Sequence, residues 1–145
     1  FTPDYYLKII KKYNVEIIFV RQYDILKSSV ASIITSGTST LEAALLKIPQ
    51  IVCYKTSFLS YLVARLFVKV KYISLVNLLL KKRSVVELIQ NDFNSDNLKY
   101  NLDMLLKDAV RKKILLDYDI LCDLLHTKKN VSTVIAKRIL DIKSS

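Results

Sequence analysis

One stretch, Thr35-Ser36-Gly37-Thr38-Ser39-Thr40-Leu41-Glu42, constrains the fold more than any other, because it holds the only glycine in 145 residues. Val30-Ala31-Ser32-Ile33-Ile34 leads into it as a short buried strand, and Thr40 to Lys47 follows as an apolar-faced helix. A strand, a tight turn and a helix in this order let the backbone come close to a ligand. The unpaired N–H groups and the positive end of the helix dipole favour a phosphate there. Ser36, Thr38, Ser39 and Thr40 add hydroxyls at the same place. Glu42 stands one turn into the helix, where a carboxylate can accept two hydrogen bonds from a sugar diol such as a ribose. The same letters also spell an ordinary helix start, since Thr38 or Ser39 with a following Glu resembles a capping box. One turn can serve both purposes.

On either side of this unit the chain alternates strand and helix signals. Thr2-Pro3-Asp4 opens a helix that is expected to run to about Tyr13 and to end at Asn14. Val15-Glu16-Ile17-Ile18-Phe19-Val20 reads as a strand, and Tyr23 to Ser28 as one or two helical turns. After the turn Lys47-Ile48-Pro49-Gln50, the short apolar run Ile51-Val52-Cys53-Tyr54 reads as a second strand. Strand, helix and strand with short links imply a right-handed parallel unit, hence an α/β architecture. Ligands of such sheets bind beyond the carboxyl ends of the strands, where Ser36-Gly37-Thr38 and Tyr54-Lys55 both fall.

Thr56 to Leu80 is the most hydrophobic part of the chain, but Arg65, Lys69 and Lys71 interrupt it too soon for a membrane span. Ser57 to Val68 reads instead as a helix, either core or lying at a membrane surface. Tyr72-Ile73-Ser74-Leu75-Val76-Asn77 reads as extended, with Ser74 and Asn77 as polar groups that need partners. Ser84 to Gln90 reads as a helix carrying Glu87 and Gln90 one turn apart on one face, followed by the polar loop Asn91 to Asp96. The remainder reads as helices over about 95–107, 109–125 and 131–142, with the only histidine, His126, at a helix end where it favours the dipole.

Composition narrows the function classes. A 52% hydrophobic chain of this length supports one domain with a core and is not a disordered tail. Phe1-Thr2-Pro3-Asp4 has neither an initiator methionine nor a signal-like run, so a piece of a longer protein is expected. Cys53 and Cys122 lie far apart in apolar runs without metal-ligand spacing and read as buried free thiols. The formal net charge of +10 attracts phosphate-rich partners, nucleic acid or an anionic membrane face, although the abundance of Lys, Ile, Asn and Tyr is also what an AT-rich genome writes. No nucleophile–base pair, metal cluster or acid/base dyad stands out, and neither a cofactor nor a metal is expected. The residues describe binding more than bond-making.

Four blocks together carry a resemblance. Thr35 to Glu42, Pro49-Gln50-Ile51-Val52-Cys53-Tyr54-Lys55, Tyr72-Ile73-Ser74-Leu75-Val76-Asn77-Leu78 and Glu87-Leu88-Ile89-Gln90 resemble, in order and spacing over about residues 15–125, the C-terminal portion of the lipid-A-disaccharide synthases. That resemblance implies an inverting glycosyltransferase of the two-lobed GT-B class, with this chain an incomplete Rossmann-like C-terminal lobe followed by helices. Residues 1–125 would be a partial UDP-sugar-binding lobe. Residues 126–145 would form a helix packing against the N-terminal lobe or a partner subunit.

The resemblance further implies that the lobe binds UDP-2,3-diacylglucosamine and that the complete enzyme joins it to a 2,3-diacylglucosamine 1-phosphate acceptor, releasing UDP. Ser36, Gly37 and Thr38 would hold the diphosphate and Glu42 the ribose hydroxyls, with Tyr54, Ser74, Asn77, Glu87 and Gln90 lining the cleft. The general base would lie on the N-terminal lobe. A peripheral place on the inner face of a Gram-negative inner membrane is implied, with an anionic lipid surface and a possible homodimer as partners. Two features depart from the family: that lobe is not among these residues, and Thr127-Lys128-Lys129-Asn130 stands where glycine-containing turns are usual. The readings held beside it are another UDP-sugar enzyme of this architecture, a decayed remnant, and a basic α/β module binding nucleic acid. The last is disfavoured because no aromatic residues alternate with the basic ones.

Overall fold

The computed structural model describes residues 3–11, 13–18, 21–57 and 71–126. Among them the order is α1 (Pro3–Ile10), α2 (Gln22–Ser28), β1 (Ser32–Thr35), α3 (Ser39–Leu45), β2 (Gln50–Tyr54), α4 (Leu75–Leu80), β3 (Val86–Ile89), a 3-10 turn (Gln90–Asp92), α5 (Ser95–Leu105) and α6 (Asp108–His126). The three strands form one parallel sheet in the order β1-β2-β3, with Thr35 opposite Cys53 and Tyr54 opposite Ile89. This is the Rossmann-like α/β arrangement expected, and it gathers the carboxyl ends of all three strands at one edge.

Burial explains the central strand. Gln50, Ile51, Val52 and Cys53 are all buried, as a middle strand of a parallel sheet covered on both faces must be. Helix α3 packs on β1 and β2, α5 packs on β2 and β3, and α6 closes over α3, α4 and α5. The main core joins Ile51, Val52, Val76, Val85, Leu88, Leu105, Ile114, Tyr118 and Leu121, while Ile34, Ala43 and Ile48 form a second, smaller cluster with Leu26 and Leu46 packed on it. Tyr118 is the largest side chain fully inside among the described residues; its hydroxyl donates to the Ile48 carbonyl and accepts from Gln50 Nε2. Burial raises that phenol far above its ordinary pKa, outweighing the Gln50 hydrogen bond, which lowers it.

Helix ends in this glycine-poor chain are closed without glycine. After α3, Lys47 takes φ +60° while its N–H donates to Ala44 O and the Ile48 N–H donates to Ala43 O, the paired bonds of a Schellman ending. After α4, Lys81 takes φ +54° and its N–H donates to Leu78 O. Lys47 also reaches across to α6, 2.6 Å from Asp119 and 3.4 Å from the Cys122 sulfur. Burial lowers the Lys47 pKa, but those two hydrogen bonds outweigh it and leave the value raised. Both cysteines are free: Cys53 is buried, and Cys122 is only half-buried rather than inside the core.

Five expectations change. Ser84 to Gln90 is not a helix but contains β3, because Val86-Glu87-Leu88-Ile89 pairs with β2; a strand buried in a parallel sheet shows no period that separates it from a buried helix. Glu87 and Gln90 therefore do not share a helix face. Tyr72 to Asn77 is not extended throughout, since Ser74 caps α4 by accepting the Asn77 N–H. Residues 14–18 form no strand: an apolar run becomes one only when a neighbour takes up its ladder, and β1 pairs only with β2 among the described residues. The capping box is absent too, for Thr38 makes no side-chain cap and the Thr40 hydroxyl instead donates to Gly37 O, at 2.7 Å. The first helix stops at Ile10, short of Tyr13. The helices expected over Ser57–Val68 and 131–142 lie outside the described residues, apart from Ser57 itself, which is non-helical.

Candidate functional site

Beyond Thr35 the chain leaves β1 and turns. The Ser36 N–H still donates to Cys53 O at 3.2 Å, as if the ladder continued for one residue, and then Gly37 swings the backbone to φ +158°. A side chain there would meet no atom within 4 Å, so the constraint on Gly37 is its backbone angle and not crowding. Thr40 N–H donates to Gly37 O, and the Leu41 and Glu42 N–H groups both donate to Thr38 O. The N–H groups of Gly37, Thr38 and Ser39 have no acceptor among the described residues, and all three residues are exposed. The turn thus presents unspent donors to solvent. Glu42, half-buried one turn further on, has no hydrogen-bond partner for its carboxylate among the described residues.

Behind the turn lies a cluster whose polar atoms are engaged. Glu87 on β3 accepts from the Ile73 N–H at 3.1 Å through Oε2, and from the Ser74 N–H at 3.0 Å and Asn77 Nδ2 at 2.8 Å through Oε1. Asn77 Nδ2 also donates to Val85 O, and its Oδ1 accepts the N–H groups of Ser84 and Val85. Ser74 and Asn77 are wholly buried and Glu87 is 9% exposed. One bond joins this cluster to the turn, from Ser36 Oγ to Ile73 O at 2.9 Å.

Gln90 takes φ +53° just after β3, and its amide pairs both ways with Thr56, accepting from Thr56 N and donating to Thr56 O. Tyr54 ends β2 partly exposed at the same pole of the sheet. Ser36, Gly37, Thr38, Tyr54 and Gln90 thus stand at the carboxyl ends of the strands with Glu42 one turn into α3, whereas Glu87 lies within β3 and Asn77 is tied to Ser84 and Val85 at its amino end. They divide into an exposed set, Gly37, Thr38 and Tyr54, with Ser36 and Glu42 half-exposed, and a set turned inward onto the backbone, Ser74, Asn77, Glu87 and Gln90. Sequence reasoning missed Ile73, Thr56, Ser84 and Val85, which take part through main-chain atoms and so leave no residue-type signal. It also missed Asp117, a nearly buried carboxylate of α6 that accepts from Lys82 Nζ and Ser84 Oγ and braces the segment before β3.

Comparison with known proteins decides the family. The family model for lipid-A-disaccharide synthetase matches residues 4–140. The chain belongs to this family. It is 37% identical over 108 residues to a lipid-A-disaccharide synthase of Anaeromyxobacter dehalogenans (strain 2CP-1), covering 74% of this chain and 28% of that protein. A lipid-A-disaccharide synthase of Francisella philomiragia is 39% identical over 109 residues, again 74% of this chain and 29% of its own length. One from Colwellia psychrerythraea is 35% identical over 137 residues, covering 91% of this chain and 33% of the relative. The chain therefore spans about a third of the lipid-A-disaccharide synthases it matches. No solved structure matches it.

Proposed function

We propose that this chain is the nucleotide-sugar-binding part of a lipid-A-disaccharide synthase, a glycosyltransferase of lipid A synthesis with the two-lobed GT-B design. The observation that carries this reading is the family match across residues 4–140. The unspent N–H groups at Gly37 to Ser39, at the pole where α/β sheets bind ligands, agree with it.

In this reading the donor is UDP-2,3-diacylglucosamine and the acceptor is 2,3-diacylglucosamine 1-phosphate. The bond from the anomeric carbon to the diphosphate breaks, UDP departs with the electron pair, and the 6-hydroxyl of the acceptor attacks from the opposite face. Negative charge grows on the diphosphate as this happens. Backbone N–H groups fixed in advance at Gly37, Thr38 and Ser39 stabilise that charge more in the transition state than in the ground state. Ser36 anchors the turn and Glu42 accepts the ribose hydroxyls, with Tyr54 beside the nucleotide. The part of such an enzyme that these residues do not span supplies the acceptor site and the general base, so the chain by itself binds without turning over. Attachment to the inner leaflet of a Gram-negative inner membrane is peripheral, with the net charge of +10 favouring anionic lipid; no helix among the described residues is long and apolar enough to cross a membrane.

Calorimetric titration of the purified chain with UDP, with ADP and a short DNA duplex as controls at moderate salt, tests the reading. Saturable binding that prefers UDP is expected. Equal binding of UDP and ADP, or binding to the duplex alone, overturns it.

A further inference from the structure

We infer that Glu87 is a positioning residue for the Ser36-Gly37-Thr38 turn, which it holds in place through Ile73 and Ser74 and not by touching a ligand. The inference rests on the reading above only in taking that turn as the diphosphate site. Both carboxylate oxygens are occupied by donors of this chain: Ile73 N–H on Oε2, Ser74 N–H and Asn77 Nδ2 on Oε1. At 9% exposure the group has little surface to offer a ligand. Two of its three donors are the N–H groups of the residue pair immediately before α4, the third lies within α4, and the carbonyl of that pair's first member, Ile73, receives the Ser36 hydroxyl. Tension at Glu87 is therefore transmitted along Ile73 to the first residue of the turn.

Ser36 has its hydroxyl proton engaged by Ile73 O, so its donor capacity serves the fold while the N–H groups of Gly37 to Ser39 stay unspent. A turn that must present donors at fixed positions gains from such support, because small displacements of preorganised donors weaken anion binding steeply. The chemistry also defines a discriminating substitution. All three partners of Glu87 are donors, so a glutamine of the same size places its NH2 group against an N–H whichever way it is turned. Glu87→Gln thus breaks the clamp with little change in volume.

The test compares wild type, Glu87→Gln, Ser36→Ala, their double variant and Leu105→Ala in the same chain. Leu105→Ala lowers core stability from α5 with no hydrogen bond to the turn and serves as the control for stability loss alone. Two readouts are taken, amide hydrogen exchange and affinity for UDP against uridine. In Glu87→Gln, exchange at the hydrogen-bonded N–H groups of the turn, those of Ser36, Thr40 and Leu41, is expected to quicken relative to α6, and UDP affinity to fall about ten-fold while uridine affinity holds, the size of one lost charge-assisted hydrogen bond. Ser36→Ala gives the same pattern, the double variant adds nothing further, and Leu105→Ala shows neither effect. Unchanged turn exchange in Glu87→Gln, or equal weakening of UDP and uridine, overturns the inference. Where wild type binds no UDP yet Glu87→Gln and Ser36→Ala still quicken exchange at the turn, the positioning role stands and the diphosphate reading fails. Should Glu87→Gln fail to fold, Ser36→Ala alone decides: normal exchange and normal UDP affinity in it overturn the inference.

Discussion

The turn at Ser36 to Thr38 and the cluster of Ser74, Asn77 and Glu87 are linked by a hydrogen bond of 2.9 Å, yet they are opposites. In the turn the N–H groups of Gly37, Thr38 and Ser39 face solvent with no acceptor among the described residues. In the cluster both oxygens of Glu87 and all the polar capacity of the Asn77 amide are engaged by the chain itself. An unsatisfied exposed donor costs almost nothing because water serves it, whereas an unsatisfied buried group is expensive. The difference teaches how donors are kept available here: a buried cluster whose Glu87 and Asn77 side chains are fully engaged holds an unsatisfied edge. Substitutions in the interior should register first as stability, and those at the edge first as affinity.

The strongest attempt to break that contrast is Asn77→Leu. It leaves the Ser84 and Val85 N–H groups and the Val85 carbonyl without their partner and removes a donor from Glu87, so it should cost about 3 kcal/mol or more in urea unfolding. A loss below about 1 kcal/mol, the worth of one ordinary hydrogen bond, would show that the cluster is not the support described. Gly37→Val comes next, because φ +158° strains any side chain even in open space: about 1–3 kcal/mol of stability and most of the UDP affinity should go, seen by melting and titration together. Glu42→Ala sharpens the other half of the contrast. It should leave melting within about 0.5 kcal/mol, as for an ordinary surface change, while UDP affinity drops about ten-fold; unchanged affinity would remove Glu42 from the ribose role.

The gentlest probe is alkaline pH, which loads the core without mutating either region. Burial pushes the Cys53 thiol up, the Tyr118 phenol is raised chiefly by burial, and Lys47 is raised by Asp119 and Cys122 against its own desolvation. A group whose folded-state value lies above its unfolded value contributes its full stability below the unfolded value and loses it as pH rises through the folded one. All three therefore act in one direction, and thermal stability should decline once pH passes the ordinary thiol range. A melting profile that stays flat as pH rises well above that range would show that these groups carry no linked stability.

The α/β alternation was legible because its signals are local. Gly37 marks the turn, Ser32 to Thr35 and Ile51 to Tyr54 are short apolar runs, and Pro49 prevents the helix before it from continuing into β2. What failed was the reading of Val86 to Ile89, for a strand covered on both faces carries no alternation, and its neighbour β2 lies some thirty-five residues away in sequence. Ser74 was recognised as a polar residue in need of a partner, yet its role as a cap depends on where α4 begins, which apolar letters on both sides conceal. The candidate site divides in the same way. The identities of Ser36, Gly37, Thr38, Glu42, Tyr54, Ser74, Asn77, Glu87 and Gln90 came from pattern and resemblance, but which atoms face one another depends on the main chain of Thr56, Ile73, Ser84 and Val85, and main-chain atoms have no letters.

Lys47, Lys81 and Gln90 hold left-handed backbone angles that glycine would occupy more comfortably, while the single glycine stands at the exposed turn after β1. The corners after α3 and α4 thus tolerate lysine at a conformational penalty. That penalty is a reserve for protein engineering: Lys81, exposed and without an ion pair among the described residues, is where a glycine would harden the scaffold for crystallisation, at the opposite end of α4 from Ile73 and Ser74.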